Sequence, residues 1–182
     1  MPSPVGHALG ALVAGWLISR PRRPVPPAPP EPVSDGRRRA ALFATLGMAP
    51  DLDLLFGTHS TYTHSIGAVA LAGLVALAAT GGRSPRFALA CAAAWASHLL
   101  LDWLGADTTP PLGIMALWPL TRDFYLSPVA IFSAISRRYW LPDFYRFNTL
   151  AVLRELLVLG PVLWLTWRFQ RHTVKGAEPS AP

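Results

Sequence analysis

PDLDLLFGTHSTYTHS, residues 50–65, gathers two aspartates and two histidines into one short stretch of a chain that is 52% hydrophobic. On either side the sequence is built mainly from Ala, Leu, Val and Gly. A solvated connection ordinarily draws on Lys, Glu, Ser and Asn. Carboxylate together with imidazole is instead the donor set of a divalent metal. The flanking segments are hydrophobic all round, so they are buried in protein or in lipid.

Working outward, residues 4–19 read as a short apolar helix with Pro4 at its start, where a missing N–H costs little. Gly6, Gly10 and Ala14 share one face, which lets another helix approach closely. No positive segment precedes it, which argues against a cleaved signal peptide. Pro21 to Pro32 hold seven prolines, so residues 20–35 are expected to form an extended linker. A second helix is predicted from Gly36 to Leu46, ending near Gly47. Ser65 to Thr80 forms a third, closed by Gly81 and Gly82. Ser84 caps a fourth with Pro85 at its first position, reaching about Leu104. Gly105 to Asp123 is a long loop, Ser127 to Ser136 a shorter apolar segment, and Phe147 to Arg171 a last helix kinked at Pro161. Residues 173–182 are polar and expected to be disordered. Nothing alternates as a strand would, and no repeat is visible. The expectation is an all-α protein: one domain over residues 1–172, a compact bundle of five to six mostly apolar helices embedded in or attached to a membrane.

Composition narrows the function. Mean hydropathy is +0.33 and only 14% of residues are charged. Cys91 is the single cysteine and lies in an apolar run, so there is neither a disulfide framework nor a thiolate metal site. A metal would have to be held by nitrogen and oxygen. The formal charge of +6 sits in separate clusters, at Arg20 to Arg23, Arg37 to Arg39, Arg137–Arg138 and near the C-terminus. Basic clusters flanking apolar segments fit anionic membrane lipid, and no nucleic-acid partner is expected. A spanning helix needs about 20 apolar residues. Residues 66–80 and 87–104 are marginal by that measure, which disfavours a transporter built of several full-length spans. The arginine clusters are expected on the cytoplasmic side.

His98 and Asp102 lie four apart in SHLLLD, so a helix places both on one face. Such a pair is often just a hydrogen bond, but a bare anion among leucines is costly, and a metal or a hydrogen-bonded cation relieves it. His64 opens the helix after the turn and can face a neighbour. Asp51 and Asp53, read as an extended i, i+2 pair, face opposite ways, so only one is expected to bind a metal directly. Asp51 is assigned that role. Asp53 is assigned to orient His59 or His64 by hydrogen bonding, and whichever carboxylate is free of the metal is the candidate general base. His7, on the first helix, completes four segments that each offer His or Asp. With these ligands Zn²⁺ is the first choice and Mn²⁺ or Fe²⁺ the alternatives.

The order His7, Pro50-Asp51-Leu52-Asp53, His59 through Thr63-His64-Ser65, and His98-Leu-Leu-Leu-Asp102 resembles the LexA-binding, inner-membrane-associated family of metal-dependent hydrolases. Gly113 to Leu120, GIMALWPL, resembles that family's loop after the His–Asp helix, and the likeness covers about residues 1–125. It departs at Ser60, which follows His59 where the family often has arginine, and in the length of the proline linker. More distantly, the pattern resembles the zinc-dependent phospholipase C and single-strand nuclease superfamily. That resemblance implies His7, Asp51, His64, His98 and Asp102 as ligands of one or two ions, since the later His and Glu ligands of a third are missing. The implied activity is hydrolysis of a phosphoester, with a lipid as one candidate substrate, at the inner membrane. Arg122 is the nearest sequence candidate for holding the phosphate. The competing readings are a membrane protein with a structural metal and, behind it, an ion or small-solute transporter.

Overall fold

A computed structural model describes residues 1–19, 33–57 and 59–175, and among these the protein is all α-helical with no strand. The helices are α1 (Pro4–Ser19), α2 (Val33–Met48), α3 (Ile66–Ala79), α4 (Pro85–Trp103) and α5 (Phe144–Lys175). Two 3-10 segments, Ala49–Phe56 and Tyr62–His64, join α2 to α3. Most of the proline-rich linker and residues 176–182 of the tail lie outside the described residues. Residues 33–35, read as linker, already belong to α2, where Asp35 meets the positive end of the helix in its first turn. The last helix is likewise longer at both ends than its apolar pattern suggested, and it continues through Pro161.

Helices α1 and α4 form the centre. α4 packs against α1, α2 and α3, while α1 also packs against α2 and α5. The core between them is Ala11, Phe43, Ala90, Cys91 and Ala94, so small residues set a close spacing and Phe43 fills what is left. On α1 the buried small residues are Gly6, Gly10, Ala11 and Gly15, and Ala14 is only half-buried.

The outside of this bundle is apolar. α3 carries no buried residue although every position in it is apolar, and Leu71, Leu74 and Val75 are each 60% or more exposed. In water such a surface would drive association; in a bilayer it faces acyl chains. Phe144–Gln170 of α5 is long and apolar enough to cross a membrane, and most of it is exposed as well. At about 1.5 Å per residue α3 is about 21 Å long and α1 about 24 Å, shorter than a hydrocarbon core of about 30 Å.

The chain between α4 and α5 forms no helix. Its apolar part, read at Ser127 to Ser136, runs extended beside the end of α4: Ala106 donates to the Phe132 carbonyl, and Ile131 and Phe132 donate to that of Leu104. Ile114 and Tyr125 exchange both backbone bonds, and Ala116 and Trp118 offer their carbonyls to the first N–H groups of α3, at Ile66 and Gly67. This loop therefore closes the end of the bundle at which α1, α4 and the second 3-10 segment bring their histidines.

Candidate metal centre

The histidines and aspartates of the sequence pattern arrive here from α1, the two 3-10 segments, the turn between them and α4. Met48 hands α2 directly to the first 3-10 segment, which carries Asp51 and Asp53. The tighter turn replaces the expected extended pair, yet the two carboxylates still diverge and take opposite sides of one imidazole. Asp51 Oδ1 lies 3.6 Å from Nε2 of His64, and Asp53 Oδ2 lies 3.1 Å from its Nδ1. Ser65 caps α3 through a bond from Ala68 N and thereby fixes the turn that presents His64.

The ring nitrogens can be assigned from their neighbours. His98 Nδ1 lies 2.7 Å from the Gly47 carbonyl, which can only accept, so the proton is on Nδ1 and the Nε2 lone pair points inward. His64 Nδ1 faces the Asp53 carboxylate and so carries a proton as well. That leaves Nε2 of His64 and Nε2 of His98 facing each other at 3.0 Å. Two lone pairs at that distance repel unless a proton or a cation lies between them.

Asp102 brings the matching negative charge. Its Oδ2 is 3.0 Å from His98 Nε2 and 3.3 Å from His64 Nε2, and its Oδ1 is 3.3 Å from His7 Nε2. Asp51 Oδ1 is also 3.6 Å from His98 Nε2. His7, His64, His98 and Asp102 are fully buried, and neither oxygen of Asp102 nor either nitrogen of His7 has a hydrogen-bond partner among the described residues. The separation of the two imidazoles and their distances to Asp51 and Asp102 run from 3.0 to 3.6 Å, and all four ligand atoms lie within 4.8 Å of one another. Ligands about 2.0 to 2.2 Å from one ion stand about 3.0 to 3.5 Å apart along the edges of its coordination shell. The residues therefore fit a divalent ion, and these four could hold one together. His7 lies on the far side of Asp102, stacked on the His98 ring with centroids 3.7 Å apart.

Asp53 has other work. Its Oδ1 is 2.8 Å from His59 Nδ1, and its Oδ2 accepts from Thr63 Oγ1 at 2.7 Å and faces His64 Nδ1. With both oxygens engaged it fixes the two imidazoles. Burial raises the Asp53 carboxyl, but the bonds from His59, His64 and Thr63 outweigh it and hold the group well below the usual carboxylate range. Of the two carboxylates read as candidate general bases, Asp53 is thus the one with both oxygens committed to neighbours. Burial likewise opposes ionisation of Asp51, and His64, His98 and His7 more than compensate, lowering it. For His64 burial disfavours the charged ring, yet Asp102, Asp51 and Asp53 around it push its pKa up to about 11. With no ion bound, a proton on His64 supplies the cation that the cluster needs.

Two residues at this site had no usable signal in the sequence. Gly47 supplies the carbonyl that orients His98, and it sits where a Cβ would come within 2.6 Å of the His7 carbonyl oxygen, so only glycine fits between α1 and α2. Arg137 reaches His59, its Nη2 lying 3.2 Å from Nε2. Asn148 of α5 clamps the preceding residue, accepting from Ser136 N at 2.8 Å and donating to its carbonyl at 2.9 Å. A guanidinium thus stands next to His59, delivered from residue 137 rather than residue 60. Arg122 is exposed, and no hydrogen bond or ion pair ties it to the cluster. The arginines also divide between the two ends of the bundle: Arg137 belongs to the histidine end, whereas Arg38 and Arg86 lie beside Ser19 and Thr80 at the other.

Fold and cluster together define a membrane protein of apolar helices enclosing a His/Asp group with the donors of a divalent-metal site. Over residues 1–173 the sequence matches the family described as YdjM inner membrane protein, and the chain belongs to that family. Its members are LexA-regulated, membrane-bound and like metal-dependent hydrolases, and the protein is one of the inner membrane. No curated protein and no solved structure matches the chain.

Proposed function

We propose that the protein is a membrane-bound hydrolase that cleaves a phosphoester at a divalent ion held by Asp51, His64, His98 and Asp102. The observation that carries this reading is the inward aim of the His64 and His98 lone pairs, 3.0 Å apart and flanked by an unbonded buried carboxylate. His7 joins them through the second oxygen of Asp102. Zn²⁺ suits imidazole and carboxylate ligands best, with Mn²⁺ or Fe²⁺ next. When bound there, a divalent ion lowers the pKa of a water towards about 7 and polarises a phosphoryl oxygen.

The chain's own groups supply the rest. Asp53 holds His59 with its Nδ1 proton directed inward, which leaves Nε2 as a proton acceptor at the solvent edge. Arg137 donates to that nitrogen in the resting state and is the cation placed to draw a phosphoryl oxygen to the same edge. A closed shell of ligands would favour a structural metal instead. Here Asp51 is 24% exposed while the other three are buried, so the cluster opens on the side of His59 and Arg137. That opening favours catalysis over the structural alternative.

The test is metal analysis of the detergent-purified protein, followed by hydrolysis of an aryl phosphodiester and of phospholipid vesicles with and without chelator. Bound metal with chelator-sensitive turnover is expected. Stoichiometric metal with no turnover on either substrate would favour the structural reading, and absence of metal after reloading would overturn both.

A further inference from the structure

α2 and α3 both pack on α4 and leave between them an apolar groove of about 620 Å³. Leu42 and Leu46 form one wall and Ala72 and Ala76 the other, with Phe87, Cys91 and Trp95 of α4, spaced four apart, along the floor. The groove follows α3 from Gly67 to Ala79, about 18 Å at 1.5 Å per residue. One leaflet of a bilayer is about 15 Å of hydrocarbon, so the length suits a single acyl chain. At its far end from the histidines it meets a second cavity of about 460 Å³, with Leu42 and Phe87 lining both. Arg38, Arg39 and Arg86 line that second cavity together with Asp35, Thr80 and Ser84, leaving it net positive. Arg86 is anchored there by its Nε bond to the Ile18 carbonyl at 2.9 Å.

We propose that this pair of cavities is a binding site for one anionic phospholipid, with an acyl chain along the α2–α3 groove and its phosphate at Arg38, Arg39 and Arg86. Charge selects the occupant. An apolar groove alone would take any lipid tail, but this one opens into a cationic pocket at one end, as a tail opens into its headgroup. Small side chains along α3 provide the width, and the hydroxyl of Ser84 suits the polar region of a glycerolipid. The cationic pocket holds none of Asp51, His64, His98 and Asp102 and lies at the end of the groove away from Thr63, the neighbour of His64, so the headgroup contact stands independently of the metal reading.

The experiment is native mass spectrometry of the full chain released from nanodiscs containing equal phosphatidylglycerol and phosphatidylcholine, with metal content measured in parallel. Wild type should retain one phosphatidylglycerol per chain with at least about tenfold preference, since near a membrane surface each cation contributes about 1 kcal/mol. Arg38→Gln, an exposed change that leaves the packing alone, should cut that preference several-fold. Ala72→Trp should fill the groove and abolish retention of both lipids while metal content stays at the wild-type level. Equal retention of the two lipids by wild type would mean ordinary annular contact and would overturn the proposal. So would undiminished retention in Ala72→Trp, or displacement of the lipid by free glycerol phosphate, which would show that the headgroup pocket acts alone.

Discussion

Asp102 of α4 and Glu155 of α5 are both acids buried within apolar helices, and the bundle treats them in opposite ways. Glu155 is fully buried and fully satisfied: its Oε1 accepts from the backbone N–H of Ser3 at 2.6 Å and its Oε2 from the Ser3 hydroxyl. Ser3 Oγ in turn accepts from Gly6 N, so the acid closes the positive end of α1 from outside that helix. Gly6 is where it is because a Cβ there would stand 2.8 Å from the Glu155 carboxyl. Asp102 is as deeply buried, yet neither of its oxygens finds a hydrogen-bond donor among the described residues. It faces three imidazoles instead. The difference teaches that depth does not mark a ligand; a buried acid matched to donors is structural, and one set against lone pairs awaits a cation.

The sharpest way to break this contrast is to remove Asp102. Asp102→Ala takes away the only fully buried anion of the cluster and leaves His64 and His98 with lone pairs directed at each other. Metal binding should be lost altogether, as read by metal content after reloading and gel filtration. A variant that still carried one ion per chain would show that Asp102 is structural after all, and the inward-facing lone pairs would need another explanation.

Asp53 sharpens the comparison because it is buried, matched to donors and yet close to the site. Asp53→Asn keeps the size but cannot accept from His59, Thr63 and His64 with both atoms. The His64 ring is then free to turn. Loss of an oriented ligand of this kind costs about 10- to 100-fold in metal affinity or activity. A chelator competition on wild type and variant measures it, and equal affinities would reduce the Asp53 bonds to a loop clasp.

Protons offer a third, smaller lever. In the metal-free protein His64 binds its proton up to about pH 11, against about 6.5 in an unfolded chain. Its contribution to stability is therefore complete below about pH 6.5 and disappears as pH rises through 11. Asp51 and Asp53 are shifted down, so they remain ionised near neutrality and release no proton there. A metal must displace one proton from His64. Affinity should thus rise about tenfold per pH unit between pH 7 and 8. A flat profile, after correction for the chelator, would mean that His64 is not displaced of a proton and does not ligate.

How much of this could be read in advance follows from what kind of interaction sets each residue. The helices were legible because Pro85, Gly81 and the long apolar runs act locally. Convergence of His7, Asp51, His64, His98 and Asp102 was legible because charged and imidazole groups in such a chain must find one another. Arg137 was not, since only the Asn148–Ser136 clamp brings residue 137 beside residue 59, and nothing local encodes that. Gly47 was read as a helix end, whereas its packing against α1 and its carbonyl are tertiary facts. Arg122 was chosen by nearness in sequence, which the extended loop makes a poor guide to nearness in space. Glu155 carries no local signal of its role, because capping α1 requires α1 and α5 to be side by side.

Glu155 therefore gives the mildest and most discriminating test. Glu155→Gln preserves shape and can still accept from Ser3 N, but its amide nitrogen replaces one acceptor with a donor facing the Ser3 hydroxyl. The cost should be that of one charged-acceptor hydrogen bond, about 2 kcal/mol, or about 4 to 8 °C in the thermal midpoint for a chain of this size. Metal content should stay at the wild-type value, because His7 is held by stacking on His98 and by its place in α1 as well as by the cap. Glu155→Leu, which leaves Ser3 without either acceptor, should lower the midpoint further and again leave the ion in place. If either variant lost metal in step with Asp102→Ala, the cap on α1 would be part of the site through His7. The distinction between a matched acid and an unmatched one would then no longer separate scaffold from metal centre.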